Sequence, residues 1–272
     1  MTVVRYGFVL KTAARQEWVY QSEVLIRAGQ MVLFMGVFMA LWSTAFGVSG
    51  RTELAGYSLA GVVWYLAMTE TVILSTSRIF TEISEAVKAG DLVYALARPL
   101  SYPFFQVANS LGNTLPRFLL NWLAAAVVVS VGLGHVPVVS GVQGTGSLAG
   151  LVAFGGMAML ALLLDALIAV LIGLAAFWIE ETAPLFWIYQ KLLFTIGGMF
   201  LPLEMFPDWL QPLARWLPFQ LITYAPARAF VAFDLDFVVR AALGQVAYVA
   251  VLSALVVLTW RRAQRRLVVH GG

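Results

Sequence analysis

Long apolar runs separated by short polar stretches set the pattern of this chain. The run from Ala28 to Val48 is apolar except for Gln30, Ser43 and Thr44. A second run covers Gly56 to Ser77 and encloses one carboxylate, Glu70. A third has its apolar body at Phe118–Gly134 and is expected to begin earlier, near Gln106. A fourth extends from Leu148 to Ile179, a fifth from Pro184 to about Leu201, and a sixth from about Val238 to Trp260. A helix needs roughly 20 mainly apolar residues to cross a bilayer, so each run predicts a spanning helix. The fourth is longer than that and has room to tilt or project. The fold class this predicts is all-α integral membrane, with six transmembrane helices.

Two further stretches carry one apolar face and one polar face, a helical signature. In residues 1–23, Val3, Tyr6, Val9, Leu10, Ala13 and Tyr20 fall on one side of a helical wheel. Arg5, Lys11, Thr12, Arg15, Gln16 and Ser22 fall on the other, while Glu17 breaks the pattern. This predicts an amphipathic helix lying on the membrane surface with its basic residues toward lipid headgroups. In residues 78–105, Ile79, Phe80, Ile83, Ala86 and Val87 face one way; Thr81, Glu82, Ser84, Glu85 and Lys88 face the other. Gly90 is placed to cap that helix. Asp91–Leu96 predicts a second short helical piece, ended by Arg98-Pro99.

The stretch Gly197–Tyr224 is as apolar as a span but is interrupted by Pro202, Pro207, Pro212 and Pro218, with Pro226 just beyond. Interior prolines remove a backbone donor and clash with the preceding turn. Two short helical pieces fit instead, one near Trp209–Leu217 and one after Pro218. Trp209, Trp216 and Phe219 with Asp208 and Arg215 suit a membrane–water interface. The expected element is a re-entrant hairpin over about residues 202–236. Its non-helical backbone must be satisfied by protein or by a water-filled cavity.

Composition removes the soluble alternative: 61% of residues are hydrophobic and only 11% charged. The net charge of +3 and pI near 9.3 do not form a nucleic-acid patch. Arg5, Lys11, Arg15, Arg27, Arg78, Lys88, Arg98 and Arg261, Arg262, Arg265 and Arg266 lie in the two tails and the loop after the second span. The opposite loops hold Arg51, Arg215, Arg228 and Arg240. The positive-inside rule then places both termini in the cytoplasm and the proline hairpin outside, in a cytoplasmic (inner) membrane. The chain reads as a single permease-like domain over residues 1–272.

Little here supports chemistry on this chain. There is no cysteine, and the two histidines, His135 and His270, fall on opposite sides of the predicted membrane. A His-based metal site or a catalytic triad is excluded on that ground. No Gly-x-x-x-x-Gly-Lys-Ser/Thr phosphate loop occurs, so nucleotide would bind another chain. Asp234-Leu235-Asp236 has a metal-binding spacing but better suits the cap of the sixth span. Ionisable groups inside spans are functional candidates. Glu70 and Lys191 come out at similar depth, which allows a pair; Asp165 falls near the middle of the fourth span. Trp187 is a candidate for the same path.

Two motifs carry a family resemblance. Gly198, Pro202, Glu204, Pro207-Asp208-Trp209-Leu210 and Leu217-Pro218 resemble the segment after the fifth span of type-2 ABC transporter permeases. Ile83, Gly90, Leu92, Leu96 and Arg98-Pro99-Leu100-Ser101 resemble that family's first cytoplasmic loop. The resemblance implies an external re-entrant hairpin and a coupling helix that docks on an ATPase. Glu82, Glu85, Gly90, Asp91 and Arg98 would lie at that contact, and the Glu180-Glu181 turn would be a second, shorter one. It further implies an ABC ATPase partner carrying ATP and magnesium, a second permease chain, identical or homologous, and export of a drug-like, antibiotic or lipid-like substrate by alternating access. No cofactor is expected on this chain. The alternative is an ion-coupled carrier or channel that works alone through Glu70, Asp165 and Lys191.

Overall fold

The computed structural model describes residues 2–17, 21–92, 100–133 and 147–270. Its helices are α1 (Thr2–Glu17), α2 (Gln21–Ser49), α3 (Leu59–Ser75), α4 (Ile79–Ala89), α5 (Tyr102–Leu133) and α6 (Leu148–Leu174). They continue with α7 (Ala183–Thr195), α8 (Leu210–Trp216), α9 (Phe219–Ile222), α10 (Tyr224–Val231) and α11 (Leu235–His270). Two-residue strands β1 (Glu53–Leu54) and β2 (Tyr57–Ser58) pair antiparallel across Ala55-Gly56. Both turn residues have positive φ, 50° and 82°, as a two-residue hairpin loop demands.

Among the described residues, five helical stretches are long and apolar enough to cross a membrane: Gly29–Ser49, Leu59–Ala89, Tyr102–Leu133, Leu148–Phe177 and Leu235–Arg266. The fifth predicted span differs. Its helix, α7, has 13 residues and ends at Thr195 rather than near Leu201. At ~1.5 Å per residue it is roughly 20 Å long, short of the ~30 Å hydrocarbon core. Gly197-Gly198 is the cause. Gly198 takes φ +79°, and a Cβ there would lie 2.4 Å from a Leu203 methyl.

α3 is the buried centre of the bundle, with α2, α5 and α10 packed around it. Its run Val62–Val72 is almost wholly inaccessible, whereas α11 leaves most of its apolar surface open. One end of the bundle gathers α1, α4, the start of α5, the end of α6 and the last turns of α11. There Tyr102 meets Trp260 at 5.5 Å between ring centroids, and Arg266 donates to the Phe177 carbonyl at 3.0 Å. The N-terminal helix and the C-terminal turns therefore share one end.

α1 departs from its expected role. The side carrying Tyr6, Leu10 and Ala13 packs on α5, where Gly112 lets the Leu10 carbonyl and the Ala13 methyl come close. Ala13 is buried, while Val4 and Phe8 are open to the surroundings. The face left for a membrane surface thus combines Val4 and Phe8 with Arg5, Lys11 and Arg15. The wheel placed the apolar stripe correctly, but a small residue on α5 makes that stripe a protein contact rather than a membrane one.

Candidate functional site

At the end that holds the termini, α4 forms a platform with the turn after α6. The helix begins after a break at Thr76, whose backbone is extended (ψ 150°) and whose hydroxyl bonds back to the Ile73 carbonyl at 2.9 Å. It ends at Gly90, with φ +76°, whose N–H returns to the Ala86 and Val87 carbonyls. Its apolar side rests on α6 at Gly173, where Ile83 leaves no room for a Cβ. Phe80 stacks on Phe186 of α7 at 4.0 Å. The Ser84 and Thr182 hydroxyls are hydrogen-bonded to each other. Lys88 Nζ lies 2.7 Å from Glu181 Oε1. The two stretches expected to couple, Glu82–Asp91 and Glu180-Glu181, are therefore adjacent. Glu82, Glu85, Gly90, Asp91, Glu180 and Glu181 are exposed. Arg98 and the rest of the Asp91–Leu96 piece beyond Leu92 lie outside the described residues, as does the turn holding His135.

A cavity of about 760 Å³ lies between α2, α3, α5 and α7. Its charged lining is Glu70, Arg78, Glu82 and Arg117; Gln30, Asn113 and Gln190 add amides. Phe34, Phe186, Phe194 and Phe200 supply ring surface. Arg78 and Glu82 are exposed at the mouth, beside the platform. Glu70 is 2% exposed and forms no ion pair or hydrogen bond among the described residues. Away from the mouth, Phe200 meets Phe38 at 5.9 Å and Phe194 at 5.7 Å.

The other path candidates sit elsewhere. Lys191 is exposed on α7, its ammonium 5.9 Å from the Phe194 ring centre, and it does not pair with Glu70. Equal depth along two helices says nothing about which way each side chain points, and the pair that depth allows is not formed. Trp187 is 60% exposed on the same open side of α7. Asp165 is buried between α6 and α7 and accepts a hydrogen bond from the Tyr189 hydroxyl at 2.7 Å. It does not line the cavity. Asp234 Oδ1 accepts the Asp236 N–H at 3.1 Å, the cap geometry expected at the start of α11.

At the opposite end the segment from Gly197 to Val231 folds as irregular backbone, a 3-10 turn at Leu203–Met205, and α8, α9 and α10. Pro202 is buried and starts the turn. The Pro207 carbonyl accepts from Leu210 and Gln211, and the Pro218 carbonyl from Leu221, so both prolines stand at helix starts. Asp208 and Trp209 are exposed, and so is Trp216. The carbonyls at the break are satisfied by hydroxyls: Thr223 donates to Gly197 (2.5 Å), Tyr65 to Gly198, and Thr69 to Met199 (3.1 Å).

Glu204 ties this segment together. It accepts from the Tyr57 hydroxyl at 3.1 Å and from the Tyr224 hydroxyl, and lies 3.0 Å from Arg228 Nε. Arg228 in turn stacks 3.9 Å from the Phe237 ring centre. Burial first, then the neighbouring Glu204 carboxylate, pushes the Tyr57 phenol above its ordinary pKa, which keeps it a donor. The sequence marks Glu204 as a hairpin residue but does not reveal that Tyr57, Tyr65, Thr69, Thr223, Tyr224 and Arg228 hold this segment. Ala55-Gly56, a turn pair that delivers Tyr57, was the one local signal available. Arg117 and Gln190 were missed as cavity residues because nothing local marks a face as concave.

Compared with known families, residues 25–271 match the one described as ABC-2 family transporter protein. The comparison with curated proteins gives no match.

Proposed function

Because the chain belongs to the ABC-2 family of transporter proteins, we propose that it is the permease subunit of an ATP-driven exporter. It is a multi-pass membrane protein, and its family supplies the membrane part of such transporters rather than the hydrolytic one. In this reading ATP and magnesium bind a separate ATPase chain. That chain docks on α4 and on the Glu180-Glu181 turn, and its closure is passed through α6 and α7 to the cavity. The observation that carries the reading is the joined platform. Ile83 on Gly173, Phe80 on Phe186, and the Ser84–Thr182 and Lys88–Glu181 contacts weld α4 to the ends of α6 and α7. A force applied to the exposed acidic side of α4 would reach two spans at once. A carrier acting alone has no use for such a part.

Both termini are cytoplasmic in this reading, in keeping with the arginine-rich end of the bundle, and α7 with its irregular extension completes a sixth crossing. The Gly197–Val231 segment lies on the outside and dips into the membrane. The hydroxyl donors at Gly197, Gly198 and Met199 support this, since non-helical backbone at membrane depth needs protein partners. A second permease chain, identical or homologous, covers the open side of α7. Lys191 and Trp187 support that arrangement, because an ammonium on a spanning helix is costly against lipid. Lipid meets the rest of the perimeter.

Reconstitution tests the reading. The chain is purified alone and with the ATPase encoded beside it, and each preparation is placed in liposomes. ATP-dependent movement of an amphiphilic substrate only when both chains are present is the expected result. Transport by the lone chain without ATP would overturn it.

A further inference from the structure

The geometry points to the cavity between α2, α3, α5 and α7 as a binding site for an amphiphilic organic cation, with the Glu70 carboxylate as its counter-charge. The inference rests on the exporter reading for its purpose but not for its test. The volume, about 760 Å³, lies within the range of roughly 300–1,000 Å³ that suits drug-sized molecules. The lining is mixed: among the described residues, eight apolar side chains, four of them phenylalanines, face it together with nine polar or charged ones.

Charge decides the class of ligand. Among the described residues, four charged side chains face the cavity: Glu70, Arg78 and Glu82 from the α3–α4 region, and Arg117 from α5. Arg78 and Glu82 stand exposed at the mouth, where solvent screens them. Arg117 is half-buried. Glu70 alone is removed from the surface, at 2% exposure, and it has no hydrogen-bond or ion-pair partner among the described residues. Within a spanning helix, a carboxylate in that position has to meet a cation, water or a proton. The Phe34, Phe186 and Phe194 rings offer negative π faces in the same cavity. A positive headgroup on an apolar body satisfies both features; an anion of the same shape would meet the carboxylate.

The probes are tetraphenylphosphonium and tetraphenylborate, which share shape and apolar surface and differ in the sign of charge. Equilibrium binding is measured on the full chain in nanodiscs. Saturable binding of the phosphonium and none of the borate, each measured in separate titrations, is expected. Glu70→Gln, which keeps size and hydrogen-bonding capacity, is expected to weaken phosphonium binding at least tenfold. Asp208→Asn, exposed at the other end of the bundle and outside the cavity, is expected to change it less than threefold. Absence of saturable phosphonium binding, equally tight borate binding, or unchanged binding by Glu70→Gln overturns the inference. The separate borate titration needs no variant, so misfolding of Glu70→Gln leaves the question decidable. Phosphonium binding without any ATP-dependent transport in the liposome assay leaves the site standing and sinks the exporter reading. ATP-dependent transport of other cargo without Glu70-dependent binding sinks the site alone.

Discussion

The two ends of the molecule are held in opposite ways. At the platform end, α4 is fixed by apolar contact: Ile83 against Gly173 and Phe80 against Phe186. Its polar side remains free, with Glu82, Glu85 and Asp91 exposed. At the hairpin end, the fixing is polar. Glu204, Tyr57, Tyr224 and Arg228 close on one another, and hydroxyls fill the open carbonyls at Gly197, Gly198 and Met199. The first arrangement presents unused charge to a partner. The second turns Glu204, Arg228 and its hydroxyls inward to seal irregular backbone, although Asp208 and Arg215 stay exposed.

The contrast breaks most strongly at Gly198. An alanine there combines a strained φ of +79° with a 2.4 Å clash against Leu203. Gly198→Ala is expected to cost about 2–4 kcal/mol and to lower the yield of monodisperse protein. Gly156→Ala, with open space around its Cβ, is expected to stay within about 0.5 kcal/mol. Chromatographic yield and thermal stability of the two variants decide it; equal behaviour would remove the claim that the break is structurally fixed.

Next in size is the loss of a buried hydroxyl. Thr223→Val leaves the Gly197 carbonyl without its donor at a fully buried position. A cost of about 1–3 kcal/mol is expected, read from denaturation of the purified protein, with no effect on ATPase docking. Smaller still is Lys88→Ala. The pair with Glu181 is solvent-exposed on both sides, 45% and 69% by side chain, and such pairs contribute about 0–1 kcal/mol. Thermal stability should barely move. A loss as large as that of Thr223→Val would mean that the platform, too, is held by polar contacts.

Asp165→Asn sharpens the comparison without touching either end. With Tyr189 already bonded to it, the structural role predicts near-normal expression and transport, since asparagine keeps an acceptor. Selective loss of cationic substrate transport would instead place Asp165 on the path.

Local pattern made some of this legible. The apolar face of Ile79–Ala89 and its Gly90 cap are visible as spacing and as a glycine, and the structure has both. The prolines after Leu201 forecast short helices, and α8 and α9 start beside Pro207 and Pro218. The early end of α7 was not legible, because no proline or charge marks Ile196. Gly197-Gly198 stops the helix only because Tyr65, Thr69 and Thr223 arrive from other segments to take the freed carbonyls. The stripe on α1 was visible, but its partner depended on Gly112 a hundred residues away. Glu70 and Lys191 could be ranked by depth, whereas their facing is set by how α3 and α7 are rotated.

The central claim is that the exposed acidic side of α4 is where an ATPase chain docks. The sequence has no cysteine, so single cysteines at Glu82, Glu85 and Asp91 can each be crosslinked to the co-expressed ATPase, with Asp208 at the hairpin as the control. Crosslinks from the α4 positions and none from Asp208 are the predicted result. Crosslinks from Asp208, or none from any α4 position in a complex that still transports, would contradict the account.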